Sequence, residues 1–317
     1  MASDSVEDLP LAGAEHVPVM LAPVLQHLQL RADGHYLDLT FGRGGYARAM
    51  LERLGPDGRL TVVDQDPEAV AAARTWAATD SRIAVLHANF ADAVTAAAAQ
   101  ATAYDGIVAD LGVSSPQIDN PERGFSFMRD GPLDMRMDLS QGVTAAQWLA
   151  EASVGDMIRV LRQYGDEPDA RRIALAIARA RDQQPLERTA QLARVIEEAV
   201  GGRRGRRIHP ATRSFQALRM VINDEMGALE RMLAAAHGAL VPDGVLVVVS
   251  FHSLEDRQVK RMLQQGARPR AAHPALPDPT PQWRAIGREL CSEIEAQRNP
   301  RSRSAVLRWG RTWAGEA

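Results

Sequence analysis

Cysteine is almost absent from this 317-residue sequence, and its scarcity excludes several classes of protein. The single Cys291 rules out an internal disulfide and any thiolate cluster for zinc or an iron–sulfur centre. The eight histidines show no metal-ligand spacing, so we predict no metal site. No apolar run approaches the roughly 18 residues of a membrane span, and the acidic residues 1–15 do not resemble a signal peptide. We expect a globular, cytoplasmic protein with no membrane partner, in which residues 1–15 form a disordered tail.

The charge is unevenly distributed along the chain. The net charge of −3 would argue against a nucleic-acid partner, but residues 160–220 carry thirteen arginines against seven acidic residues. Residues 298–311 carry five arginines and no acidic residue. Both segments have the composition of a phosphate-contacting surface. An arginine-rich genome explains the same pattern, because Lys260 is the only lysine, and composition leaves both explanations open.

The first third of the chain alternates strand-like and helix-like segments. The strand candidates are residues 35–39, 59–64, 82–87 and 104–111, with helical stretches at 67–78 and 91–101. Apolar runs without clean alternation, each followed by a helix, are typical of a parallel sheet that helices cover on both faces. The sequence therefore predicts a doubly wound, Rossmann-like α/β fold.

A helical segment interrupts this pattern after residue 115. Thr144 and Gln147 have the spacing of a capping box that begins one helix. Ser153 and Asp156 predict the start of a second helix, and the apolar face within residues 190–200 predicts a third.

The sheet pattern resumes further along the chain. Residues 214–240 predict one long amphipathic helix, 245–251 a strand, and 303–309 a final strand. Ser253 with Asp256 predicts another helix cap, and the five prolines of residues 268–281 indicate an extended loop.

These patterns define the expected domains. Residues 16–115 and 214–317 should form the sheet domain, and residues 116–213 an inserted helical domain for substrate recognition.

The most informative segment is residues 38–46, Asp-Leu-Thr-Phe-Gly-Arg-Gly-Gly-Tyr. An acidic residue at a strand end is followed by three glycines within four positions, and then by a helix. Glycines at such a turn allow backbone dihedrals that other residues resist and let a ligand approach the main chain. This arrangement is typical of a site for a nucleotide-like cofactor.

Three aspartates at predicted strand ends bear on the choice between NAD and S-adenosylmethionine, and two of them favour the methyl donor. Asp64 lies at the spacing of a carboxylate that accepts both hydroxyls of a ribose, with Asp66 as a nearby competitor. Asp38 would repel a pyrophosphate but could pair with the amino group of a methionine moiety. Asp110, at the open edge of the sheet, would face the reacting methyl group. Each aspartate could instead cap the following helix.

Several longer strings resemble one family, the bacterial 16S ribosomal RNA (cytosine-N4)-methyltransferases of the RsmH or MraW type. The strings are His16-Val-Pro-Val-Met20, residues 38–45, Asp110-Leu-Gly-Val-Ser-Ser-Pro-Gln117, Arg123-Gly-Phe-Ser-Phe127, Asp130-Gly-Pro-Leu-Asp-Met-Arg-Met-Asp138, Arg213-Ser-Phe-Gln-Ala-Leu-Arg219, Ser250-Phe-His-Ser-Leu-Glu-Asp256 and Asn299-Pro-Arg-Ser-Arg-Ser304. They span nearly the whole chain and are far more specific than a glycine loop.

The resemblance implies a methyltransferase that uses S-adenosylmethionine to methylate the exocyclic amine of one cytosine in 16S ribosomal RNA of the small subunit. By motif position it implies cofactor contacts at Gly44, Gly45, Tyr46, Asp64, Phe90, Asp110 and Gln117. Asp110 is also our candidate catalytic residue, as acceptor for the amine hydrogens. Family members often have histidine where Tyr46 stands, so the backbone contact there is expected rather than the side-chain contact.

Two other functions are compatible with parts of the sequence. The glycine loop alone permits an NAD-dependent oxidoreductase, although Asp38 disfavours a pyrophosphate. A non-catalytic RNA-binding assembly factor would keep the fold without needing Asp64 and Asp110. The sequence leaves self-association open.

Overall fold

A seven-stranded sheet runs through the larger part of the chain in the computed structural model, which describes residues 18–203, 208–271, 276 and 278–313. The strands are β1 (His35–Asp38), β2 (Arg59–Asp64), β3 (Ile83–His87), β4 (Tyr104–Asp110), β5 (Leu240–Ser250), β6 (Trp283–Leu290) and β7 (Val306–Thr312). Their order across the sheet is β3-β2-β1-β4-β5-β7-β6. The pairs among β1 to β5 are parallel, whereas β7 runs antiparallel to both β5 and β6.

Thirteen α-helices lie within the described residues. They are α1 (Leu21–Leu28), α2 (Gly45–Leu51), α3 (Pro67–Ala77), α4 (Phe90–Ala99), α5 (Ser115–Asp119), α6 (Ala145–Glu151), α7 (Val154–Gly165), α8 (Ala170–Gln183), α9 (Thr189–Ala199), α10 (Ala211–Ile222), α11 (Glu225–Ala236), α12 (Ser253–Ala267) and α13 (Glu293–Arg298). None of the described helices is long and apolar enough to cross a membrane.

The chain divides into two compact units. The sheet unit comprises Met1–Gly112 and Ala228–Ala317, and the helical unit comprises Val113–Gly227. The predicted tail, residues 1–15, lies outside the described residues.

The sheet unit follows from buried, β-branched strands. Val62, Val108 and Val247 are fully buried at the centres of β2, β4 and β5. Central strands covered on both faces carry such apolar runs. The Rossmann-like fold predicted from the sequence is confirmed, although the sheet is mixed because of the antiparallel strand β7.

The helical unit has its own apolar core, in which Ile173, Leu192 and Leu218 from three helices are buried together. The predicted caps of α6 and α7 are confirmed. The hydroxyl of Thr144 accepts from the amide of Gln147 in a capping box at α6, and Ser153 caps α7. Helix α8 is not among the predicted helices; Asp169 is its N-cap but makes no side-chain hydrogen bond to the first turn.

The single helix predicted for residues 214–240 is wrong, because the chain breaks between α10 and α11. Asp224 has a φ of 46°, in the left-handed region. The Asn223 side chain donates to the carbonyl of Met135 at 2.8 Å and accepts from the amide of Met137 at 2.7 Å. These bonds anchor a residue that amphipathic spacing alone assigns to a continuous helix.

Two predictions near the C-terminus also need correction. The last strand covers residues 306–312 rather than 303–309, since Asn299 accepts from the amide of Arg301 and begins a 3₁₀ turn over Pro300–Ser304. Strand β6 is an element that the sequence pattern does not predict. It follows the proline-rich segment, whose described residues before Trp283 and after α12 contain neither helix nor strand.

Candidate cofactor site at the carboxyl edge of the sheet

The predicted acidic residues lie at the carboxyl ends of adjacent parallel strands. Asp38 ends β1, Asp64 ends β2 and Asp110 ends β4. Strand β1 pairs with both β2 and β4, so the chain order of the strands reverses beside β1. Open α/β sheets bind ligands at such a reversal, beyond the carboxyl ends of the strands.

The glycine loop between β1 and α2 has little room for side chains. Gly44 has a φ of 75° and occupies the left-handed position before α2. A Cβ at Gly44 would lie 2.7 Å from the Phe41 ring, and a Cβ at Gly45 would overlap Cγ of Pro18. Both contacts are too short for any real side chain, so the sequence must keep bare backbone here.

Asp64 is tied to this loop by hydrogen bonds. Its Oδ2 accepts from the amide of Gly42 at 2.8 Å, and its Oδ1 accepts from the amide of Asp66 at 2.9 Å. Burial raises the pKa of Asp64, while these amide hydrogen bonds partly offset the effect. Each oxygen still has a lone pair that could accept from a ligand hydroxyl.

The competitor Asp66 has a structural role. It is the N-cap of α3, and its side chain accepts from the amide of Glu68 at 3.0 Å. Asp66 is therefore the residue that fits the helix-capping alternative, and Asp64 does not cap α3.

Asp38 is buried with one oxygen unsatisfied. It is 1% exposed, and its Oδ1 accepts from the amide of Thr40 at 3.1 Å. Its Oδ2 has no hydrogen-bond partner among the described residues. Burial is the main cause that raises the pKa of Asp38 to about 7 and the charge of Asp64 adds to it, while the backbone amides of Thr40 and Ala47 act in the opposite direction.

Asp110 has a similar environment. Its Oδ1 is buried and makes no hydrogen bond to any described residue. Its amide donates to Oγ1 of Thr40 at 2.7 Å, which connects the end of β4 to the loop after β1. Burial, followed by the charges of Asp38 and Glu255, raises the pKa of Asp110 well above its usual range.

Glu255 is the functional candidate that sequence reasoning missed. It lies in the first turn of α12, is 3% exposed, and its Oε2 accepts from the amides of Phe251 at 2.9 Å and His252 at 3.3 Å. The predicted cap of Ser253 with Asp256 is wrong, because His252 is the N-cap and Asp256 pairs with Arg308. Glu255 and Asp256 are adjacent acidic residues, and the sequence alone does not show that Glu255 is the buried one.

Tyr46 and Phe90 flank the site in different ways. The Tyr46 side chain is buried and its hydroxyl donates to the carbonyl of Val19, so only its backbone in the first turn of α2 is left for a cofactor. Burial, and then Asp110 and Asp38, raise the pKa of the Tyr46 phenol well above its usual value. Phe90 begins α4 after β3 and is partly exposed.

Gln117 belongs to the helical unit, unlike the other predicted contacts. It is buried, and its Oε1 accepts from the amide of Ser114 at 2.9 Å in a capping box at α5.

The sheet topology and the three aspartates at its carboxyl edge define a Rossmann-like α/β protein with a candidate cofactor site. Comparison with known proteins identifies the family. A family model described as the MraW methylase family matches residues 13–312. Ribosomal RNA small subunit methyltransferase H of Halorhodospira halophila is 52% identical over 301 residues, covering 92% of this chain and 93% of that protein. The protein of the same name from Bordetella avium is 48% identical over 323 residues, covering 93% and 90%.

The chain therefore belongs to the MraW methylase family, as the sequence resemblance predicted. It is an S-adenosylmethionine-dependent methyltransferase. Family membership supports this interpretation over the NAD-dependent oxidoreductase and the non-catalytic assembly factor.

Proposed function

We propose that this protein methylates the N4 amine of a cytosine in 16S ribosomal RNA of the small subunit. The observation that carries the proposal is the pair of buried, unsatisfied carboxylate oxygens, Asp38 Oδ2 and Asp110 Oδ1, at the carboxyl edge of the sheet. Buried carboxylates need a cation or donors. The relatives' names, ribosomal RNA small subunit methyltransferase H, indicate the substrate.

The residues of the crevice fit S-adenosylmethionine. This cofactor supplies a methyl group on a positively charged sulfur and also carries an ammonium group. Asp38 would pair with the ammonium, and Asp64 would accept the ribose hydroxyls while the amide of Gly42 keeps it in place. A pyrophosphate would instead meet the charge of Asp38.

The remaining cofactor contacts in this proposal follow the family motif. The backbone of Gly44, Gly45 and Tyr46 would contact the methionine portion, and the ring of Phe90 would pack on the adenine.

Asp110 would accept the proton that the cytosine amine loses. The amine is a weak nucleophile because its lone pair is delocalised into the ring. As its nitrogen bonds to the methyl carbon, the carbon–sulfur bond breaks, its electron pair stays on sulfur, and one N–H proton must leave. A carboxylate oxygen with no other hydrogen-bond partner among the described residues, as at Asp110 Oδ1, is suited to take it.

Arginines of the helical unit would hold the RNA. Arg171 and Arg172 are exposed at the start of α8. Arg203 pairs with Glu197 at 3.3 Å. The other candidates, Arg204, Arg206 and Arg207, lie outside the described residues. A ribosomal substrate would also place the protein in the cytoplasm.

The test is methyl transfer from labelled S-adenosylmethionine to small subunits, and to protein-free 16S RNA, from cells that lack the protein. We expect label in N4-methylcytidine. Asp110→Asn should slow single-turnover transfer by about 100-fold or more, the usual contribution of a positioned acid or base. Asp57→Asn, a change at an exposed turn residue, is the control. If Asp110→Asn keeps its turnover and loses only cofactor affinity, Asp110 is not catalytic. If no substrate is labelled, the proposed function is wrong.

A further inference from the structure

Asp110 ends β4, and Glu255 follows the end of the neighbouring strand β5. Asp110 pairs in register with Val249, and the amide of Leu111 donates to the carbonyl of Val249 at 2.9 Å. Strand β5 ends one residue later, and the chain turns through Phe251 into α12. The first turn of α12 therefore brings a buried carboxylate to the same edge of the sheet as Asp110.

Hydrogen bonding fixes the position of the Glu255 carboxylate. The amides of Phe251 and His252 donate to its Oε2, and Nε2 of His252 lies 3.0 Å from its Oε1. Two backbone donors hold this group rigidly as an acceptor. Asp110 Oδ1, by contrast, makes no hydrogen bond to a described residue.

The groups that act on Asp110 are acidic. The charges of Asp38, at the end of β1, and of Glu255, in the first turn of α12, each disfavour the ionised form of Asp110. The phenol of Tyr46, on α2, faces Asp110 and Asp38, and its hydroxyl donates to a backbone carbonyl. The charge of Asp64, on β2, acts on Asp38, and the charge of Glu295, on α13, acts on Tyr46.

We propose that Glu255 is a positioning residue that keeps a proton on Asp110 until the cationic cofactor binds. Binding of the sulfonium would then release this proton to solvent and leave Asp110 as a carboxylate that can accept the amine proton. The inference rests on the proposed function, because it assumes a sulfonium cofactor beside Asp110. Asp110 would keep this proton because neighbouring buried carboxylates cannot all ionise without a cation.

Proton release distinguishes the cofactor from its product. S-adenosylhomocysteine has the same ammonium, carboxylate and adenosine groups as S-adenosylmethionine, but its sulfur is neutral. At pH 7, where the ammonium group of both free ligands is largely protonated, protons displaced by the shared groups, including any from Asp38, should be nearly equal for both ligands. At higher pH the ionisation of each free ligand is measured and subtracted, so that the remaining difference between the two ligands reports the proton on Asp110.

The experiment is isothermal titration of the full chain with each ligand between pH 6 and pH 9.5, in paired buffers of different ionisation enthalpy. At pH 7 we expect S-adenosylmethionine to release about one proton more than S-adenosylhomocysteine, as linkage requires for one displaced proton. This difference in the number of released protons should fall as the pH rises, and the pH at which it is half its maximum is the midpoint. Asp110→Asn should abolish it.

Substitutions at Glu255 test its part in this effect. Glu255→Gln keeps an acceptor for both amides but removes the charge, so the midpoint should move to lower pH by about one unit, as expected for loss of a neighbouring like charge. Glu255→Asp keeps the charge and should keep the midpoint near that of the wild type. Glu68→Gln removes an exposed acid from the equivalent first turn of α3 and should change nothing.

The outcomes separate the inference from the proposed function. If both ligands release the same number of protons, or if the midpoint is unchanged in Glu255→Gln or absent below pH 9.5, the inference is wrong while cofactor binding stands. If neither ligand binds, both proposals fail. Should Glu255→Gln not fold, Glu255→Ala removes the same charge, and its midpoint should also move to lower pH; an unchanged midpoint would overturn the inference.

Discussion

Replacing Asp38 with asparagine should stabilise the free protein while damaging its site. The pKa of Asp38 is about 7 in the folded protein against an ordinary value of 3.8. Between these two values the folded state binds a proton that the unfolded state has lost. Stability therefore falls as the pH rises from about 4 to about 7 and stays low above that range.

The size of the effect follows from the difference between the two pKa values. At 1.36 kcal/mol per pH unit, the ionisation of Asp38 costs up to about 4 kcal/mol at pH 8 and about 1.5 kcal/mol at pH 5. The introduced asparagine side chain does not ionise, and its oxygen can still accept from the amide of Thr40. The free energy of unfolding of Asp38→Asn should thus exceed that of the wild type at pH 8 by up to about 4 kcal/mol, and the gain should shrink by more than half at pH 5.

The assay is urea unfolding at pH 8 and pH 5, with the transition of the sheet unit followed separately because two units can unfold independently. Asp57→Asn, at an exposed position, should show no pH-dependent gain. The same Asp38→Asn protein should bind S-adenosylmethionine at least about tenfold more weakly, since the ammonium loses its partner. If Asp38→Asn is no more stable than the wild type at pH 8, ionisation of Asp38 does not lower the free energy of unfolding, and the reasoning is wrong.

Three further sets of substitutions test the cofactor site and the proposed RNA surface. Gly45→Ala, whose Cβ would overlap a proline ring carbon, should weaken cofactor affinity at least about tenfold in calorimetry, and unchanged affinity would show that the loop tolerates side chains. Asp64→Asn should weaken cofactor affinity by about 10-fold or more, whereas Asp66→Ala should cost about 1 kcal/mol of stability in urea unfolding and leave affinity unchanged. If Asp66→Ala weakens cofactor affinity and Asp64→Asn does not, Asp66 rather than Asp64 binds the ribose. Arg171→Gln with Arg172→Gln should lower the slope of log affinity for RNA against log salt by about 0.7 per arginine, and an unchanged slope would remove α8 from the RNA surface.

The sequence is sufficient to predict the parts of the fold that depend on local pattern. The glycine loop, the strands that end at Asp38, Asp64 and Asp110, and the caps at Thr144 and Ser153 all depend on neighbouring residues, and the structure confirms them. Backbone dihedrals and strand periodicity are short-range properties, so a single sequence contains them.

Other features depend on contacts between distant segments. The break at Asn223 requires the backbone of Met135 and Met137, 88 and 86 residues away. The choice of Glu255 over Asp256 depends on burial, and Asp256 turns to Arg308 on β7. Neither partner can be identified from the local pattern.

Nucleoside mass spectrometry of 16S ribosomal RNA tests the proposed reaction in cells that lack this protein and carry either the wild-type chain or Asp110→Asn on a plasmid. We expect that N4-methylated cytidine is lost without the protein, returns with the wild type, and stays far below the wild-type level with Asp110→Asn at equal expression. An unchanged amount of N4-methylated cytidine in cells without the protein would contradict it.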